Sequence, residues 1–291
     1  MIANRFAAVV AVATGAADDA HAISTAAALA RRHAAVAHVV AHLPDRAMML
    51  SGWGNASGIY LTPEVLQSLT DADNETRKDI ARMAKDISAR DGLAWGPGSG
   101  GARMILDDAE GAFWSPLERA LPLADLTIFG RSAEQDSSLR DGPLAQTLMT
   151  SRSPALVVRD APLATGKPVA VAWDGSLEAG RAVRAARPLL VEASEVVILQ
   201  DLSELSPERR EAADPARLIA YLELCGVVAT RAASVEGGGH GPALVAAANR
   251  YSAEILVAGA YGHTRLGEWM LGGATRAFLE AKDAPHLFLA H

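Results

Sequence analysis

The chain has 291 residues, about twice a typical ~150-residue domain, so two domains are expected. Half of the residues are apolar and 21% are charged, which suits a globular core and excludes disorder over most of the length. The net charge of −7 argues against broad binding to nucleic acid or an anionic membrane, and a single cysteine, Cys225, excludes an intrachain disulfide and a cysteine-based zinc cluster.

The opening MIANRFAAVVAVATG has one basic residue, Arg5, and a short β-branched run. It reads as a buried first strand rather than a signal peptide. No stretch reaches the roughly 18 apolar residues of a membrane helix. A cytoplasmic, reducing setting is expected. Strands follow at 6–14, 35–42, 92–96, 124–129 and 154–159, with helices at 18–32, 63–90, 112–122 and 142–150. Extra residues surround Trp53 in SGWGNASG and the Gly-rich GPGSGGARM, which leads into an insertion before Ala124. The Pro and Gly of DAPLATGK (Asp160–Lys167) read as a short linker between domains 1–163 and 164–291. Beyond it, strands are expected at 168–173, 195–200, 229–235, 253–258 and 285–290. Helices are expected at 176–191, 207–225, 241–251 and 273–282. Apolar strands alternating with amphipathic helices mean βαβ units and a parallel sheet covered on both faces. The fold class is therefore α/β, with two tandem doubly wound, Rossmann-like domains.

The halves repeat one another. ADLTIFG (Ala124–Gly130) matches AEILVAG (Ala253–Gly259), and SPALVVRD (from Ser153) matches APHLFLAH (from Ala284). FAAVVAVATG (Phe6–Gly15) matches PVAVAWDG (Pro168–Gly175).

In an open parallel sheet, ligands bind beyond the carboxyl ends of the strands, where strand order switches. Two such ends in the second half carry suitable chemistry. The first strand ends at Trp173-Asp174-Gly175-Ser176, and Asp174 has acceptors for a ribose or base. The fourth ends at Gly259 and runs on through GAYGHTRLGEWMLGGAT. Gly259 and Gly262 permit sharp turns and close backbone approach, and Gly272 and Gly273 introduce a helix whose free N–H groups favour an anion. Together these form a mononucleotide cradle. A plainer reading makes the glycines turn residues and Asp174 a helix cap beside Ser176. His240, His263, His286 and His291 lack metal-ligand spacing, so no metal site is expected. Cys225 reads as a small buried hydrophobe, and Trp269 and Met270 as packing residues. No GxSxG, P-loop or Cys–His arrangement is present, so no catalytic residue is named.

Over essentially its whole length, the chain resembles the universal stress protein family as two tandem copies. The family's nucleotide motif is Gly, two residues, Gly, nine residues, Gly, then Ser or Thr. Gly259, Gly262 and Gly272 match it, while Gly273 stands where Ser or Thr is usual and Thr275 lies two residues on. Asp174 matches the family's first-strand Asp on the adenosine side. The resemblance implies a stress-response module that binds ATP, with at most slow hydrolysis, and whose nucleotide sets its conformation or partner. The first half has lost the cradle: strand ends set Gly15 against Asp174, Ala133 replaces the second Gly, and Pro143 falls near the third. ATP is thus expected in the C-terminal half alone. The alternatives are a non-nucleotide interaction or scaffold protein of the same fold, and an adenine-nucleotide-dependent enzyme. Single-domain relatives dimerise through their last strand. Here Ala155–Val158 and His286–Leu289 are expected to pair in an intramolecular pseudo-dimer, with further homo-oligomerisation left open.

Overall fold

The computed structural model describes residues 4–43, 62–107, 115–132, 142–205, 207–227, 229–235, 240–260 and 273–291. The apolar runs of the first half form β1 (Ala8–Ala13), β2 (Val36–Ala41), β3 (Ala94–Trp95), β4 (Arg103–Asp107), β5 (Leu126–Gly130) and β6 (Ala155–Val158). Those of the second form β7 (Val169–Ala172), β8 (Val196–Asp201), β9 (Thr230–Val235), β10 (Ile255–Gly259) and β11 (His286–Ala290). They join in one 11-stranded sheet, ordered β3-β4-β2-β1-β5-β6-β11-β10-β7-β8-β9. Read outward from the middle, each half has the same order, and β3 is an addition to the first.

The pairs are parallel except at the centre. There β6 and β11 run antiparallel, with Leu287 opposite Val157, Phe288 opposite Leu156 and Leu289 opposite Ala155. This is the expected pseudo-dimer seam. Every residue of both strands is buried, so each strand covers what would be an exposed edge of the other. On each sheet face one apolar cluster crosses the seam. One runs from Val9 and Leu126 through Leu156 and Phe288 to Val171, and the other from Val10 through Val157 and Leu287 to Leu199.

Helices cover both faces. In the first half they are α1 (Asp19–His33), α2 (Pro63–Arg90), α3 (Pro116–Ala120) and α4 (Pro143–Ala145), which runs into a π turn over Gln146–Thr150. In the second they are α5 (Leu177–Glu192), α6 (Pro207–Ala212), α7 (Pro215–Leu224), α8 (His240–Arg250) and α9 (Gly273–Glu280). Side-chain caps set several starts. Thr62 and Ser176 accept from the backbone of Val65 and Ala179, and Ser115 and Glu118 form a reciprocal capping box.

Two expected elements differ. The third strand of the first half is Arg103–Asp107, and the expected 92–96 strand shrinks to two exposed residues outside it. The Gly-rich loop between them turns at Gly96, Gly100 and Gly101, all with positive φ. Buried Arg103 pins that loop by donating to the carbonyls of Gly96, Ser99 and Gly100. The expected 207–225 helix breaks in two because Asp214 caps a new start, accepting from Ala216 N–H at 2.9 Å ahead of Pro215. The loop around Trp53 lies outside the described residues.

Candidate functional site

After β7 the chain turns at Gly175, whose φ is +72° and whose missing side chain lets the backbone of Ala212 and Ala213 approach. Asp174 Oδ1 accepts from Ser176 N–H at 3.0 Å, and Ser176 Oγ accepts from Ala179 N–H at 3.1 Å to start α5. Ser176, not Asp174, is therefore the helix cap. Asp174 shapes the turn and also faces a cavity of about 320 Å³ at the carboxyl end of the sheet.

Asp174, Gly259, Gly273 and Thr275 all line this cavity, together with Asp201 at the end of β8 and Arg209 on α6. Ala172, Leu199, Leu244, Ala258 and Phe278 supply its apolar wall. Four of the six predicted site residues are thus brought together. Gly262 and Gly272 lie outside the described residues, as do His263, Trp269, Met270 and Ala133.

The two described glycines have different reasons to be glycine. A Cβ on Gly259 would lie 2.6 Å from Ala179 N and 2.8 Å from Glu178 C, because the first turn of α5 packs on the end of β10. Gly273 opens α9 without a left-handed φ, and a Cβ there would meet nothing within 4 Å. Thr275 is buried in the first turn of α9. The cavity thus has carboxylates at the ends of β7 and β8 on one side and the start of α9 on another. Trp173 packs its ring on the opposite sheet face, against the cluster of Val171 and Val183, and its buried indole N–H has no hydrogen-bond partner among the described residues.

Asp201, Arg209 and Trp173 were not singled out from the sequence. Asp201 had a signal, since it ends the second strand of a sheet whose strand ends bind ligands. Its Oδ1 already accepts from Ser203 N–H and Oγ. Arg209 comes to the cavity from α6.

In the first half, sheet register corrects one correspondence. Val9 pairs with Leu126 as Val169 pairs with Ile255, at the first residues of β5 and β10. Counting on from these pairs, Thr14 stands where Asp174 does, and Gly15 matches Gly175, which shares its positive φ. Strand ends alone misplace this by one residue because β1 continues one residue further than β7. At the equivalent strand end the chain's own carboxylates take up backbone N–H groups. Asp19 Oδ2 accepts from the N–H groups of Thr14 (2.9 Å) and Gly15 (2.7 Å), and Asp18 Oδ2 accepts from Ser132 N–H at 2.7 Å. A Cβ on Gly130 would lie 2.6 Å from that Asp18 oxygen. Burial holds the Asp19 carboxyl above the usual range, outweighing the backbone donors that favour its charge.

The remaining candidates are scattered. His286 sits in the seam, His291 Nδ1 lies 3.0 Å from Ala260 O, and the side chain of His240 is not among those described. Among the described residues no three His, Cys, Asp or Glu side chains are placed to hold a metal ion. Cys225 is half-buried at the end of α7 rather than fully buried, because it caps that helix at the surface. No described helix is long and apolar enough to cross a membrane.

No protein-family model and no curated protein matches the chain. Among solved structures, a universal stress protein from Archaeoglobus fulgidus DSM 4304 aligns with 97% of this chain and 95% of its own, at 12% identity and a TM-score of 0.65. A putative universal stress protein from Pseudomonas aeruginosa UCBPP-PA14 aligns over 99% and 94% of the two chains, at 14% identity and a TM-score of 0.48. A functionally unknown protein from Pseudomonas aeruginosa PAO1 aligns over 99% and 93%, at 13% identity and a TM-score of 0.47. Over nearly its full length, the chain has the fold of the Archaeoglobus universal stress protein.

Proposed function

We propose that the chain is a cytoplasmic universal stress protein that binds one ATP, or a related adenine nucleotide, in its second half. One observation carries this reading. Asp174, Gly259, Gly273 and Thr275 converge on one cavity, whereas at the equivalent strand end of the first half Asp18 and Asp19 take up the N–H groups of Thr14, Gly15 and Ser132. In this reading Asp174 accepts hydrogen bonds from the adenosine, and the start of α9 faces the phosphates. Arg209 adds a cation at the cavity wall. Nucleotide occupancy then sets conformation or partner choice, and hydrolysis, if any, is slow.

The test is mass spectrometry of ligands released from the denatured protein, followed by calorimetric titration with ATP. One site per chain is expected, weakened in Asp174→Ala and abolished in Gly262→Val. Two equivalent sites, or unchanged binding in Gly262→Val, would refute the assignment. The second reading, an interaction module of the same fold without nucleotide, is favoured by Gly259, because the packing of α5 already accounts for its missing side chain. No ATP binding by either the wild type or Gly273→Ser would select it.

A further inference from the structure

On the sheet face beneath α3, the first half contains a second cavity, of about 400 Å³, remote from the nucleotide pocket. It exists because α3 has five residues where α8, which packs on β8 in the second half, has eleven. Its floor is apolar, with Ala8 and Val10, Ala120 of α3 lines it, and Leu123, 85% exposed, stands at its rim. Two polar side chains of the sheet also line it. His38 on β2 and Asp107 on β4 meet with Nδ1 2.7 Å from Oδ2. By register, the corresponding positions of the second half are Val197 and Ala233, so this pair belongs to the first half alone. The third polar group is Arg119 on α3, exposed, with no side-chain partner among the described residues.

We propose that the His38–Asp107–Arg119 cavity is a binding site for a small organic carboxylate with an apolar body. The carboxylate pairs with Arg119, whose planar fork matches it. The body lies on Ala8, Val10 and Leu123. Asp107 holds His38 through Nδ1 and so fixes the imidazole at the cavity wall, where its ring signals sense an occupant. The volume lies within the range of small-molecule sites, which combine apolar walls with a few placed polar groups. This site does not depend on nucleotide binding.

The experiment uses the full chain labelled on histidine, with the His38 ring signals assigned by their loss in His38→Gln. Hexanoate, hexan-1-ol and inorganic phosphate are titrated separately. Hexanoate is expected to move the His38 signals with a midpoint of about 1 mM. Arg119→Gln, an exposed change, is expected to weaken this at least about tenfold, with partial rescue in Arg119→Lys. Ala120→Phe, which fills the cavity, is expected to abolish it, with backbone amide spectra checking that the variant is folded. The proposal is overturned if hexanoate leaves His38 unmoved. It is equally overturned if hexan-1-ol or phosphate acts as strongly as hexanoate, or if Arg119→Gln binds as wild type does.

Discussion

Arg159 is the most informative single side chain to remove. It follows β6, is 3% exposed, and reaches across the seam into the second half. Its guanidinium donates to Phe278 O (2.9 Å), Leu279 O (3.4 Å) and Ala281 O. These carbonyls lie at the C-terminal end of α9, where a helix has orphan acceptors and the negative end of its dipole. The helix whose first turn lines the second-half cavity is therefore held at its other end by an arginine from the opposite half. Arg159→Met keeps the stem and the backbone N–H, which donates to His286 Nδ1 at 3.0 Å, but removes all the guanidinium bonds. A hydrogen bond to a charged group contributes about 1.5–3 kcal/mol, and an orphaned buried carbonyl costs about 1–3 kcal/mol. The terms overlap, and water enters part of the space, so a loss of about 2–4 kcal/mol is expected. Urea unfolding read by linear extrapolation measures it. Arg131→Met is the control. Arg131 lies near the same seam, donates to Lys282 O at 3.2 Å and pairs with Asp160 at 3.1 Å, but its partner is 81% exposed. Such a surface pair contributes under about 1 kcal/mol. If Arg159→Met costs no more than Arg131→Met, α9 is not clamped as described.

Gly273→Ser fits the open space and backbone at the start of α9, and one added hydrogen bond should tighten ATP binding roughly two- to tenfold by calorimetry. Gly259→Ala meets the backbone of α5 and should destabilise the fold by about 1–3 kcal/mol, with or without nucleotide, in thermal unfolding. Burial raises the Asp19 carboxyl in the folded state, so its contribution to stability is greatest in acid and declines as pH rises through the folded pKa. Asp19→Asn keeps an oxygen to accept from Thr14 and Gly15, and should remove that decline in a series of unfolding curves between pH 4 and 7. Buried His33, packed edge-on against Phe6, is lowered by burial, so the unfolded chain takes its proton first. Stability should fall as pH drops below about 6.5, and His33→Gln should flatten that step; an unchanged step would assign it to another group.

The α/β class, the internal repeat and most elements were legible in the sequence. β-branched runs such as AVVAVA and VVILQ carry their own pattern, and helices such as Pro63–Arg90 combine a cap with a sustained helical period. The glycine and aspartate positions around the second-half cavity were legible for the same reason, since turn and helix-start residues act within a few positions of chain. The third strand of the first half was not, because its place depends on Arg103 folding a Gly-rich loop back onto the sheet. Equivalence between Thr14 and Asp174 needed the pairing of β1 with β5, more than a hundred residues apart. Only the tertiary structure showed Asp18 accepting from Ser132 N–H 114 residues away, or Arg159 capping a helix 119 residues on. Local periodicity records which face of an element is buried. It does not record which distant polar groups meet there, and those meetings gather Asp174, Asp201 and Arg209 around one cavity in the second half while Asp18 and Asp19 take up backbone N–H groups at the equivalent strand end of the first.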